Sequence, residues 1–192
     1  RLVAGLDVKE DEAITAKEGE ILLIDFREGN LVEVNSNASF NYKDKKDETL
    51  FEVLKGSLRF LFVPTGKIRT IHTFETVSTV RGTDFVVNES QDKTEILVFD
   101  GNLAVSDING QNTVDVGPGY KTEVKKGGKP TKPVAFDSSK IDRWFDAVTP
   151  ENSQRQIGAR TWTITAVILI VGLVIIFFGI KKSLKRFRRV KK

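Results

Sequence analysis

Residues 161–180 read TWTITAVILIVGLVIIFFGI, twenty residues without a single charge. A helix lying on a folded core keeps one polar face, and this stretch has none. As a helix at about 1.5 Å per residue it is roughly 30 Å long, the depth of a bilayer's hydrocarbon layer. One transmembrane helix is therefore expected at 161–180, because in lipid only helices and closed barrels satisfy their own backbone. Trp162 stands where an interfacial aromatic belongs. Gly172 and Gly179, seven residues apart, share one helix face. That face either meets lipid or allows close helix–helix contact, which leaves a homo-oligomer open.

The flanks orient the span. After it comes KKSLKRFRRVKK, with Lys181, Lys182, Lys185, Arg186, Arg188, Arg189, Lys191 and Lys192 and no acid, whereas the nearest bases before it are Arg155 and Arg160. Basic flanks stay in the cytoplasm, so residues 181–192 are expected inside and the large N-terminal part outside, at a single-pass cell membrane. The tail reads either as a plain stop-transfer signal or as a grip on anionic lipid or an acidic partner. This topology expects a signal peptide removed ahead of Arg1. The tail carries +8 of a net +4, which leaves −4 for residues 1–180. The outer part is thus mildly acidic, and nucleic acid is not an expected partner. With no cysteine in the chain, disulfides, thiolate metal sites and cysteine nucleophiles are excluded.

From Ala13 to Val124 short apolar runs alternate with turn residues. ILLIDF (21–26), LVEV (31–34), LFEVL (50–54), SLRFLFV (57–63), DFVV (84–87), TEILVF (94–99), NLAVS (102–106), TVDV (113–116) and YKTEV (120–124) are each of strand length and rich in β-branched and aromatic residues. Lys55-Gly56, Pro64-Thr65-Gly66, Asp100-Gly101, Asn109-Gly110 and Gly117-Pro118-Gly119 supply the breaks. The spacing predicts an all-β unit of about ten strands, a sandwich or a short solenoid-like stack. LKGSLRFLF and FDGNLAVS share an apolar-x-Gly-x-Leu form, the pattern that two stacked coils would show.

A charged connector, GGKPTKP (127–133), follows. Ser138-Ser139 then precedes Ile141, Trp144, Phe145 and Val148, the i, i+3, i+4, i+7 spacing of a short amphipathic helix stopped by Pro150. That helix would pack on the β-domain, or lie on a membrane surface or a partner subunit. The expected organisation is a β domain over 1–135, helix and linker over 136–160, span over 161–180 and tail over 181–192.

One segment is more specific than its pattern. TVSTVRGTDFVVN (76–88), then TEILVFDGNLAVS (94–106) and VDVGPGYKTEV (114–124), resembles the FecR family, whose hallmark is an Arg-Gly-Thr-x-Phe core at a strand start, here Arg81, Gly82, Thr83, Asp84 and Phe85. LVEVNSNASFNY (31–42) and LFEVLKGSLRFLFV (50–63) are similar to the family's earlier strands. The resemblance covers roughly residues 15–125 and departs at His72-Thr73-Phe74-Glu75, where a Thr-Pro pair is expected. It implies an extracytoplasmic all-β domain. In the family's namesake regulators a cytoplasmic anti-sigma segment precedes the span, and the outer domain reads the signalling domain of an outer-membrane transporter. Here the outer domain comes first, and a twelve-residue tail is too short to fold as an anti-sigma domain. On physical grounds Gly82 is expected in a conformation or close approach that a Cβ would block, with Phe85 and Val87 facing the core. Arg81 is expected to fork onto a carboxylate or onto backbone carbonyls, and the motif as a whole to be structural.

Catalytic constellations are missing. His72 is the lone histidine, and no HExxH, GxSxG or phosphate-cradling loop is present. Asp107-x-Asn109-Gly110 faintly suggests a calcium loop but lacks its later acidic ligands. Asn37 and Asn88 head glycosylation sequons. No enzyme activity, metal or cofactor is expected. The leading expectation is a non-catalytic, membrane-tethered binding or scaffolding protein, an accessory subunit of a cell-envelope assembly with a protein partner. The alternative is a transmembrane signal relay of the FecR kind.

Overall fold

A computed structural model describes residues 8–26, 29–64 and 66–145. The expected span and tail, with Trp162, Gly172, Gly179 and the basic residues from Lys181 to Lys192, lie outside them, as does Val148. Among the described residues no helix is long and apolar enough to cross a membrane.

The described residues form thirteen strands: β1 (Ile14–Thr15), β2 (Leu22–Asp25), β3 (Leu31–Val34), β4 (Ser39–Asp44), β5 (Glu48–Leu61), β6 (Ile68–His72), β7 (Thr76–Val80), β8 (Asp84–Glu89), β9 (Lys93–Asp100), β10 (Leu103–Asp107), β11 (Val114–Val116), β12 (Tyr120–Lys125) and β13 (Val134–Ala135). The long β5 belongs to two sheet halves. Its first part pairs with β4 and, in parallel, with β6; its second part pairs antiparallel with β3 and β8. One half continues through β7, β10 and β11, with β1 beside β4, and the other through β9, β12 and β13, with β2 beside β3.

Two runs read as separate strands, LFEVL and SLRFLFV, are thus one. Lys55-Gly56 bends the chain without turning it back. Ser39 pairs with Lys55 and Phe40 with Val53, so Leu54 is an extra, bulged residue. The bulge shifts the inward phase. Phe51 and Val53 are buried before it, and Leu58, Phe60 and Phe62 after it. A bulge that redirects a strand from one sheet to another lets a single strand serve both.

Both halves contribute to one apolar core. Its centre is aromatic. Phe51 meets Phe60 edge-on at 5.6 Å, and Phe60 stacks on Phe85 at 5.1 Å, offset-type geometries favoured by the ring quadrupole.

The turns gather at two ends. Residues 73–75, 90–92, 108–113 and the start of the β12–β13 connection share one end, since Asp107 faces Thr76 and Thr94 faces both Glu89 and Val124. Residues 81–83 and 101–102 share the other, where Leu103 pairs with Val80 and Asp84 with Asp100.

The helix expected after Ser138 is not formed over 141–145. Asp137, not Ser138, is the cap: its carboxylate accepts from the Ser139 amide at 3.0 Å and the Ser139 hydroxyl at 2.7 Å, and a three-residue 3-10 turn, Ser138–Lys140, follows. A helix this short has little stability of its own. Ile141, Trp144 and Phe145 instead pack with Val86, Leu97, Phe99 and Phe136 in a second apolar cluster. The compact unit accordingly runs to Phe145.

Candidate interaction face

Strand alternation sends Glu33, Arg59, Val86, Leu97 and Lys121 to the side of the β3–β5–β8–β9–β12 half that faces away from the core. Cross-strand register aligns them in one row. Arg59 is the hinge of this face. Its Nε and Nη2 donate to the two carboxylate oxygens of Asp84 at 2.8 Å each, and its Nη1 donates to Glu33 Oε2 at 3.4 Å. The side chains of Arg59 and Glu33 are 12% and 4% exposed, so the pair sits nearly out of water. Burial works against the guanidinium's charge. The hydrogen bonds and charges of Asp84 and Glu33 outweigh it and hold its pKa above the usual arginine value.

The chain's own C-terminal segment covers this face. β13 pairs with β12, the Phe136 amide donates to the Gly119 carbonyl at 3.0 Å, and Phe145 then lands with its ring 4.6 Å from the Arg59 guanidinium carbon. Phe145 is 1% exposed. Phe99 and Trp144 meet its ring edge-on at 5.4 Å, and Phe136 meets Phe99 at 5.4 Å. A cation under an aromatic face, out of water, is a stronger contact than the same pair on an open surface. Residues 134–145 therefore form a strap over an ion-paired, partly apolar sheet face. Beside it Lys121 donates to Glu95 at 2.7 Å and Lys93 to Glu123 at 2.6 Å. Burial pushes the Glu95 carboxyl up, but Lys121 and Asn88 bring it below the usual range.

The strap's hold rests on Phe145. Phe145→Ala is expected to free residues 136–145 while the strands stay folded, because what it removes lies outside the main core. Hydrogen exchange of the full chain should show lost protection in the strap, with β5 and β8 unchanged. Loss of protection in all of these together would make the strap part of the global fold.

The motif residues occupy the end of the unit near this face and are tied inward. Thr83 exchanges backbone hydrogen bonds with Phe62 at 3.0 and 3.1 Å, and its hydroxyl donates to the Asn102 carbonyl at 3.0 Å. Phe85 lies in the core stack, Asp84 holds Arg59, and Gly82 has φ +100°. Arg81 is exposed, so the guanidinium that forks onto a carboxylate here is Arg59, which the sequence reading missed. The Asp107 carboxylate accepts from the amides of Asn109 and Gln111 and from the Asn112 side chain, which hold its pKa low. Its oxygens stabilise their own turn. Asn88 faces Glu95, to which its amide donates at 3.2 Å. Among the described residues no three His, Cys, Asp or Glu side chains gather as a metal would need.

A family model described as "FecR protein" matches residues 12–104, from just before β1 to the start of β10. The strap lies beyond that match. Two crystal structures of a protein described as a candidate anti-sigma factor, from Parabacteroides distasonis ATCC 8503, are similar in fold. Their TM-scores are 0.60 and 0.61, with 21% sequence identity over 70% of this chain. The similarity spans 64% of the length of those chains. No curated protein matches.

Proposed function

We propose that this chain is a non-catalytic signal relay. In this reading the β unit receives a signal outside the cytoplasm, residues 161–180 anchor it, and the tail from Lys181 to Lys192 carries the change to a partner inside. The observation that carries the reading is the FecR match over the β unit, and the fold similarity to structures described as anti-sigma factors points the same way. The FecR resemblance implies a regulator, and an anti-sigma factor is one by its description. They give the relay support that the accessory-subunit reading does not receive.

The strap supplies a route. It is the last described segment before residues 146–160 and the apolar stretch, and it is docked on the unit by the β12–β13 pairing and a cluster of aromatic contacts. An event that alters the Arg59 face would change the strap's hold, and the strap is continuous with the anchor. Coupling of this kind needs a segment with two arrangements, docked and free.

The test uses cells lacking the gene, complemented with the full chain or with a chain ending at Lys182. The full chain is expected to restore a defined set of transcripts, and the shortened chain to reach the membrane without restoring them. Equal restoration by both would overturn the relay. Unchanged transcripts, with the chain extracted inside a large defined complex, would return the accessory-subunit reading.

A further inference from the structure

The end of the unit away from the motif encloses a polar cluster that the relay reading does not use. Glu89, 4% exposed, points inward from β8. Its Oε2 accepts from the Thr94 hydroxyl at 2.6 Å. With that hydrogen committed, Thr73 must donate to Thr94, 2.8 Å away. With Thr73's hydrogen committed, Thr76 must donate to Thr73 at 3.0 Å. Thr73 Oγ1 also accepts from the amides of Glu75 and Thr76. Each hydroxyl has one hydrogen to give, so all three point along the chain toward Glu89.

The other carboxyl oxygen of Glu89, Oε1, is buried without a partner, as is the hydroxyl of Ser78, which shares the inward face of β7 with Thr76. Among the described residues, the elements around Glu89 place no positive charge against it. β5 brings Gly56 opposite it, and β9 brings Thr94, backed by Val124 of β12. Lys55 and Lys125 are exposed, Lys93 is bound to Glu123, and the Asp107 carboxylate is taken up by its own turn. The charged group that acts on Glu89 is Glu75, itself 9% exposed and of the same sign. Glu75 also holds backbone: its Oε2 accepts from the Gly127 amide at 2.6 Å, pinning the start of the connection that leads to β13 and the strap.

We infer that Glu89 is a proton-operated latch: protonated, it lets Glu75 clasp Gly127, and ionised, it repels Glu75 and loosens the β12–β13 connection. A bare, buried carboxylate oxygen within the field of a second carboxylate is the arrangement that a proton relieves. Burial, opposed chiefly by the Thr94 hydrogen bond and aided by the Glu75 charge, raises the Glu89 carboxyl to about 7. The latch does not depend on the relay; where the relay holds, it makes pH one of its inputs.

The test follows the Gly127 amide in the full chain in mild detergent, by hydrogen exchange corrected for its intrinsic pH dependence. Protection is expected to fall several-fold as the pH rises from about 4.5, the ordinary glutamate value, to about 7, and to level off above it. Glu89→Gln should abolish the fall. Glu75→Gln keeps an acceptor for Gly127 and should move the Glu89 carboxyl titration, read by carbon NMR, to lower pH. The same pH profile in Glu89→Gln as in the parent would overturn the latch. So would a Glu89 midpoint near the ordinary glutamate value, or protection that follows sodium or potassium rather than pH.

Discussion

Arg59→Ala is expected to destabilise the β unit by about 3 kcal/mol or more, the scale seen when one partner of a buried ion pair is removed. The side chains of Glu33 and Asp84 are 4% and 16% exposed and both reach the same guanidinium. Alanine removes the guanidinium that joins the two carboxylates, with little water to replace the fork. It also removes the cation beneath Phe145. The loss should therefore appear in two places, a lower thermal midpoint of the unit and a freed strap. Arg59→Lys should recover part of the charge but not the two-pronged bond to Asp84. Arg59→Met tests the other component: it refills the volume under Phe145 without any charge. Combined with Glu33→Gln and Asp84→Asn, it should regain most of the lost midpoint if charge dominates. If Arg59→Ala and the parent melt together, the ion pair contributes nothing and the strap holds by its aromatic packing and its backbone pairing to β12.

Much of the architecture was legible because local chemistry and tertiary structure agree. LVEV became β3 with its predicted limits, and Asp100-Gly101 became the turn between β9 and β10. Legibility ended where they diverge. Lys55-Gly56 reads locally as a turn, yet the signal for a bulge was present. The apolar residues move from odd positions, Phe51 and Val53, to even ones, Leu58 and Phe60, a phase slip that a true hairpin between independent strands does not require. β7 was not among the runs read as strands because hydroxyls replace apolar side chains at its inward positions, with Thr76 and Ser78 both at 0% exposure, whereas the neighbours of His72 do suggest a strand where β6 ends. Those same substitutions build the Glu89 cluster, so the least strand-like stretch is the one with a titratable interior. The Arg59 face has no local signature. Arg59 and Phe145 lie far apart in the chain, and only the return of the strap brings them together. The apolar spacing of Ile141, Trp144 and Phe145 did register, but its periodicity cannot tell a helix face from three residues packed on a sheet.

Two turns that read alike in the sequence should respond differently to the same substitution. Gly101→Ala and Gly110→Ala each put a Cβ on a residue with φ above +70°. Strain of that kind costs about 1 kcal/mol or slightly more. At Gly110 nothing lies within 4 Å, so the strain is the whole effect. At Gly101 the new Cβ would stand 2.6 Å from the Gly82 carbonyl oxygen and 3.1 Å from Thr83 Cα. Both are backbone atoms, fixed by Thr83's hydrogen bonds to Phe62 and Asn102. Neither can yield without moving the start of β8, where Asp84 grips Arg59. Gly101→Ala is therefore expected to cost about 3 kcal/mol or more, with the excess over Gly110→Ala measuring the close approach of the two turns. Thermal unfolding of both variants gives that difference directly. It also decides what the Arg-Gly-Thr-Asp-Phe segment does. A large gap makes it a clasp that seats the β9–β10 turn and, through Asp84, fixes the fork under the strap. Equal losses would mean that the two turns tolerate separation, and the segment's contribution would then reduce to Phe85 in the core and Asp84 on the face.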